Sequence, residues 1–126
     1  IEQKKIDLTV DVTTDGLEIF ADREMLEQML INLIKNAEQA LANTSGAKVK
    51  ISAKLNKRGR IVIEVADNGP GISDELAAKI FVPFFTTKRD GSGVGLALTR
   101  QVMIAHGGSV SLSKTDGGGA TFILTF

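Results

Sequence analysis

Two glycine clusters bracket a run of phenylalanines between positions 67 and 96. The first is Asp67-Asn68-Gly69-Pro70-Gly71-Ile72 and the second is Gly91-Ser92-Gly93-Val94-Gly95-Leu96. Phe81-Val82-Pro83-Phe84-Phe85-Thr86-Thr87-Lys88 lies between them. Five of the thirteen glycines and both prolines of the chain fall in this window. Glycine at that density, flanked by well-patterned elements, means that backbone turns through φ > 0 or must come close to something. A segment carrying Phe81, Phe84 and Phe85 cannot be simply solvated; it packs somewhere, as a hinged lid would. Taken singly, either cluster could be an ordinary surface turn, since short glycine motifs recur by chance. The remaining elements decide between the two.

The 126 residues suit one domain with one core. Fifteen basic residues balance fifteen acidic ones. A neutral chain gives no support for nucleic-acid binding or for direct membrane contact. There is no cysteine, which excludes disulfides, thiolate metal sites and cysteine nucleophiles. Six Phe with no Trp or Tyr leave little for stacking on exposed bases. The sequence contains no transmembrane run or signal peptide. Its first residue is Ile1, not Met, which leads us to expect a piece of a longer chain.

Ile6-Asp7-Leu8-Thr9-Val10 alternates as a half-buried strand does, and Leu17-Glu18-Ile19-Phe20 reads as its hairpin partner across Thr14-Asp15-Gly16. Asp22 is placed to cap a helix over 23–43, with Gly46 beyond its end. Leu26, Met29, Leu30, Leu33, Ile34, Ala37, Ala40 and Leu41 form its apolar stripe. Asn32, Asn36, Gln39 and Asn43 make a ridge of amides along one margin. Asn is a poor helix former, so two at i, i+4 beside the core either edge the solvent or have a task. Strands follow over 49–55 and 60–66, joined by a turn at 56–59. Asp67 continues the parity of Ile61, Ile63 and Val65, which aims its carboxylate at the buried side. A carboxylate there needs donors, supplied by backbone amides of the glycine turn or by a ligand. Ser73 should cap a short helix over 74–80, and a third helix should run from Gly95 to about Ala105. A glycine-rich loop opening a helix is a ready anion site, because free N–H groups and the helix dipole point at one place. His106 is most simply a helix C-terminal residue favoured by the dipole. A last hairpin, 108–114 with 120–126, turns at Asp116-Gly117-Gly118-Gly119.

This order predicts an α/β two-layer sandwich, with three helices on one face of a mixed, mostly antiparallel sheet. A doubly wound nucleotide-binding fold is disfavoured, since its phosphate glycines should follow the first strand. The Lys and hydroxyl ending of a P-loop are also missing.

Four segments resemble the sequence boxes of sensor histidine kinases. Asn32-Leu33-Ile34-Lys35-Asn36-Ala37 looks like their N box, and Asp67-Asn68-Gly69-Pro70-Gly71-Ile72 like their G1 box. Residues 81–88 are similar to the F box, and Gly91-Ser92-Gly93-Val94-Gly95-Leu96 to the G2 box. Their order and spacing cover essentially the whole chain, and the F box with His106-Gly107-Gly108 points to histidine kinases within the wider superfamily. Ser92 and Val94 stand where Thr and Leu are commoner, and the short link between the F and G2 boxes implies a small ATP lid.

The resemblance implies the Bergerat fold, ATP and Mg²⁺. It places the amide oxygen of Asn36 on Mg²⁺ and Asn32 beside the phosphates and metal. Asp67 would accept from the adenine amino group, with Gly69, Gly71 and Ile72 passing close to the base. Gly93, Val94, Gly95 and Leu96 would present N–H groups to the phosphates, Ser92 a hydroxyl, and Lys88 or Arg89 a positive charge. Thr121 resembles the hydroxyl that supports the adenine-binding Asp. In ATP-hydrolysing relatives a glutamate one turn before the metal Asn activates water; here that place is Asn32, which cannot act as a base near neutral pH. The implied activity is therefore phosphoryl transfer to a histidine on a separate dimerisation domain, with a response regulator downstream. The implied setting is cytoplasmic, the parent a homodimer that can be anchored in the inner membrane, and the isolated domain a monomer. Two alternatives share the superfamily: an anti-sigma-type serine kinase, against which the intact F box argues, and a nucleotide-responsive binding domain without catalysis.

Overall fold

The computed structural model describes residues 7–12, 22–82, 95–115 and 118–126. Strand β1 (Asp7–Val12) is followed by helix α1 (Arg23–Ala40), strands β2 (Lys48–Leu55) and β3 (Ile61–Asp67), and the short helix α2 (Asp74–Ala77). Helix α3 (Gly95–Ala105) and strands β4 (Ser109–Lys114) and β5 (Ala120–Thr125) complete the described elements. The expected hairpin partner at Leu17–Phe20 lies outside the described residues.

The five strands form one sheet in the order β1-β2-β3-β5-β4. β1 runs parallel to β2, and every other pair is antiparallel. Parallel neighbours need a crossover, and α1 supplies it between β1 and β2. The sheet is therefore mixed and mostly antiparallel, as expected.

Asp22 caps α1: its Oδ1 accepts from the Met25 N–H at 3.1 Å. The helix ends at Ala40 with Leu41 as its C-cap, so Asn43 of the amide ridge falls in the turn beyond it. Ser73 Oγ accepts from the Leu76 N–H at 3.2 Å and caps α2. The expected helix over 74–80 is α-helical only to Ala77, then tightens into three-residue bonds such as Val82 N–H to Lys79 O at 2.9 Å.

Period 3.6 on α1 and period 2 on the strands meet in one core. Met29, Leu33, Ala37 and Leu41 of α1 and its cap pack with Met103 of α3 and with Val49, Ile63, Val65, Phe122 and Leu124 of the sheet. Full burial of a side chain such as Leu33 or Leu124 contributes about 1.5–3 kcal/mol. Ile72, Ile80 and Phe81, flanking α2, lean on the same cluster, and the Phe81 and Phe122 rings meet edge to face at 6.2 Å. The opposite face of the sheet is polar; Lys50 approaches Asp11 at 4.0 Å and Lys54 approaches Glu64 at 3.5 Å.

One expectation fails at the edge. β1 reads as half-buried, yet Leu8, Val10 and Val12 are 56%, 64% and 53% exposed. Alternation reports that a strand has two unlike faces, but not whether a helix reaches far enough to cover the apolar one. Register puts these three opposite Val49, Ile51 and Ala53 on the helix-bearing face, at its outer margin.

Candidate nucleotide site

Asp67 ends β3 in phase with Ile63 and Val65, and it is 5% exposed. Its Oδ1 accepts from the Gly69 N–H at 3.0 Å and from the Ala120 N–H at 3.3 Å. Backbone amides thus meet the need of a buried carboxylate, and they come from two segments far apart in the chain. Both address Oδ1, which leaves Oδ2 without a donor among the described residues.

Glycine lets those segments converge. Gly71 has φ +79°, and a β-carbon there would stand 3.2 Å from the Gly119 carbonyl oxygen. Gly119 has φ +98°, and a β-carbon there would overlap the carbonyl oxygen of Asp67. Gly69 faces Asp67 Oδ1, the Ala40 carbonyl and Leu41, which brings the end of α1 to the same point. Gly119 was legible in the sequence only as part of a hairpin turn; its partner across the fold was not. Asn68, inside the same cluster, points the other way. Its Oδ1 accepts from the Lys48 N–H at 2.7 Å and its Nδ2 donates to Gly46 O at 2.9 Å, which ties down the entry to β2.

The role expected of Thr121 is corrected by the sheet. Thr121 is registered against Ala66 and Ser113, one residue out of phase with Asp67, so its side chain belongs to the opposite face. Its hydroxyl shares a 2.8 Å hydrogen bond with that of Thr115. The neighbour in phase with Asp67 is Ala120, which contributes its backbone N–H instead.

On α1, Asn32 and Asn36 are half-buried beside the fully buried Leu33 and Ala37. The start of α3 rests on Asn32: a β-carbon at Gly95 would lie 3.7 Å from Asn32 Cγ. Asn32 Oδ1 accepts from Gln28 Nε2 at 3.2 Å, a contact whose i, i+4 spacing is visible in the sequence. Of the glycine-loop residues, Gly95 and Leu96 open α3, where Leu96 packs on the core and Thr99 Oγ1 bonds to Gly95 O at 3.0 Å. Lys88, Arg89, Ser92, Gly93 and Val94 lie outside the described residues.

The helices α1 and α3 run antiparallel, and both ends of α3 touch α1, at its N-cap and near its middle. At the far end His106 Nε2 accepts from the Asp22 N–H at 3.2 Å, and His106 Nδ1 faces Val102 O at 2.7 Å. From Asp22 to Asn32 along α1, and from Gly95 to His106 along α3, the chain rises about 15–17 Å, so the two contacts are matched in length.

Among the described residues no group of three or more His, Asp or Glu is placed to hold a metal. A cation here would rest on amide oxygen from Asn36 and on oxygens brought by a ligand. That donor set suits Mg²⁺, a hard ion that keeps waters and phosphate oxygens.

A family model described as histidine kinase-, DNA gyrase B- and HSP90-like ATPase matches residues 21–126. The signal transduction histidine-protein kinase AtoS of Escherichia coli (strain K12) is 39% identical over 122 residues, which are 97% of this chain and 20% of AtoS. The chain thus spans about a fifth of that curated relative. The nucleotide-free catalytic domain of histidine kinase ThkA superposes with a TM-score of 0.82 at 34% identity, covering 96% of this chain and 79% of that one. ThkA is also known in complex with the response regulator protein TrrA, and there the TM-score is 0.77 at 32% identity over 96% of this chain and 34% of that one. Full-length ShkA in complex with AMPPNP gives a TM-score of 0.79 at 34% identity, over 95% of this chain and 25% of ShkA.

Proposed function

The chain belongs to the histidine kinase-, DNA gyrase B- and HSP90-like ATPases, among the catalytic domains of histidine kinases, and on that premise we propose that it holds MgATP and passes the γ-phosphate to a histidine carried outside these residues. The observation that carries this reading is the buried Asp67 carboxylate, oriented on Oδ1 by two backbone amides at a crossing of glycines. Oδ2 accepts from the adenine amino group, and Gly69, Gly71 and Ile72 let the base lie against backbone. At the other end, Asn32 lies against the start of α3, with Asn36 one turn further along α1; there phosphates collect on N–H groups of Gly93, Val94, Gly95 and Leu96 with help from Ser92 and from Lys88 or Arg89. Asn36 contributes its amide oxygen to Mg²⁺, which spreads the negative charge of the phosphates when bound.

The chemistry asked of the chain is positioning and charge neutralisation. The ring nitrogen of the acceptor histidine attacks the γ-phosphorus, the bond to the β,γ-bridging oxygen breaks, and ADP leaves with that electron pair. The histidine proton passes to a base beside it on the acceptor domain. Asn32 has no basic lone pair with which to activate water, so transfer is favoured over hydrolysis. The acceptor domain and a response regulator are the partners; the ThkA–TrrA complex supports the latter. Among the described residues no helix is long and apolar enough to cross a membrane; the cytoplasmic setting in an anchored parent is proposed from the likeness to sensor kinases.

The test is calorimetric titration of ATP with and without Mg²⁺, on the parent chain and on Asn36→Ala, followed by transfer of labelled phosphate when a histidine-bearing dimerisation domain is supplied. Asn36→Ala should abolish the Mg²⁺-dependent gain in affinity. An unchanged gain would remove Asn36 from the metal site, and absence of any ATP binding by the parent chain would remove the reading as a whole.

A further inference from the structure

We infer that Gln28 is a positioning residue for phosphate binding: it takes up the amide oxygen of Asn32 and so turns the Asn32 NH₂ group toward the nucleotide. The inference rests on the functional reading above and adds a residue and a polarity to it.

Gln28 is exposed, lies one turn before Asn32 and belongs to none of the four boxes. Its Nε2 donates to Asn32 Oδ1 at 3.2 Å. The other side of the same amide faces α3. A β-carbon at Gly95 would stand 3.7 Å from Asn32 Cγ and 3.8 Å from Nδ2, with Oδ1 farther away. The Asn32 oxygen is thus held by Gln28, and its nitrogen is the polar atom of the amide nearer the opening of α3.

That orientation has a chemical consequence. Phosphate oxygens only accept hydrogen bonds, so a carboxamide beside them helps only if it presents N–H. A carboxamide with nothing on its far side is free to turn its oxygen to the phosphates, where it repels them. In the orientation seen, Gln28 biases that choice by giving the oxygen a donor. The two asparagines of α1 then divide the work: Asn32 donates to phosphate, while Asn36, one turn on, offers oxygen to the cation. A residue that only stabilised the helix would leave the direction of the Asn32 amide open. An i, i+4 amide pair of that kind adds little to the stability of a helix.

A double-mutant cycle separates these roles. MgATP affinity is measured by calorimetry for the parent chain, Gln28→Leu, Gln28→Glu, Asn32→Ala and the two corresponding double variants, with thermal midpoints alongside. Gln28→Leu should weaken MgATP about fivefold when Asn32 is present and less than about twofold in the Asn32→Ala background. Gln28→Glu can only accept; it draws Asn32 Nδ2 to itself and turns Oδ1 to the phosphates. It should cost about tenfold or more with Asn32 present, and in the Asn32→Ala background only what its added charge costs. Thermal midpoints should stay close to that of the parent, because Gln28 is exposed. Equal losses in both backgrounds, or no loss from Gln28→Leu, would overturn the role of Gln28 and leave Asn32 in place. If Asn32→Ala itself bound MgATP as tightly as the parent, the placement of Asn32 in the site would fall and the role of Gln28 with it.

Discussion

Gly119 holds its backbone against that of Asp67 at a separation that admits no side chain. A β-carbon on Gly119 would overlap the Asp67 carbonyl oxygen and stand 3.1 Å from the α-carbon of Asn68. With φ at +98°, the position also disfavours any L side chain by its backbone alone. This close approach lets the next residue, Ala120, bring its N–H to Asp67 Oδ1. Gly119→Ala should therefore destabilise the chain by at least about 2 kcal/mol and weaken nucleotide binding in the fraction that remains folded. Urea denaturation and ATP titration read the two effects. An alanine variant with the parent's midpoint and affinity would show that the turn relaxes without moving Asp67.

His106 should prove a clamp between helices, not a group in the chemistry. With Nδ1 against the Val102 carbonyl, that nitrogen carries the proton and Nε2 is left to accept from the Asp22 N–H. His106→Ala removes the only side-chain bond described between the start of α1 and the end of α3, and should cost about 1 kcal/mol. Hydrogen exchange at the Asp22 amide is the direct measurement, and it should quicken in the variant. Unaltered protection of that amide would mean that the contact contributes nothing.

The neighbours Asp67 and Asn68 should fail in opposite ways. Asp67→Asn keeps an oxygen for the Gly69 and Ala120 amides and replaces Oδ2 by NH₂, a donor facing the adenine amino donor. Stability should change little while ATP and ADP affinity fall about tenfold or more. Asn68→Ala loses the bonds to Lys48 N and Gly46 O, about 1–2 kcal/mol of stability, with nucleotide affinity of the folded protein kept. Thermal melts and nucleotide titrations on both variants check the contrast; stability lost at Asp67 and affinity lost at Asn68 would reverse the assignment.

Much of the frame could be read directly. The stripe Met29, Leu33, Ala37 and Leu41 is buried as its spacing requires, and Asp22 and Ser73 cap the helices that they precede. Asp67 lies on the buried side because parity along one strand is a local property. Gln28 and Asn32 are equally legible as an i, i+4 pair, but what their contact orients depends on α3 lying beside them. The exposure of Leu8, Val10 and Val12 was not legible, since it depends on how far the helix layer extends over the sheet.

The crossing at Asp67 shows where that boundary lies. Side-chain type and period, which are carried by neighbouring residues, were enough to place a buried carboxylate at the end of β3 and a pair of asparagines on α1. Which groups meet that carboxylate was decided only by tertiary structure. Thr121 has the hydroxyl that side-chain type points to, yet the register of β5 on β3 turns it to the other face and brings up Ala120. Every residue but proline carries the same N–H, so no sequence marks the one that will donate. Only the alignment of strands distant in the chain, made close by Gly71 and Gly119, selects it.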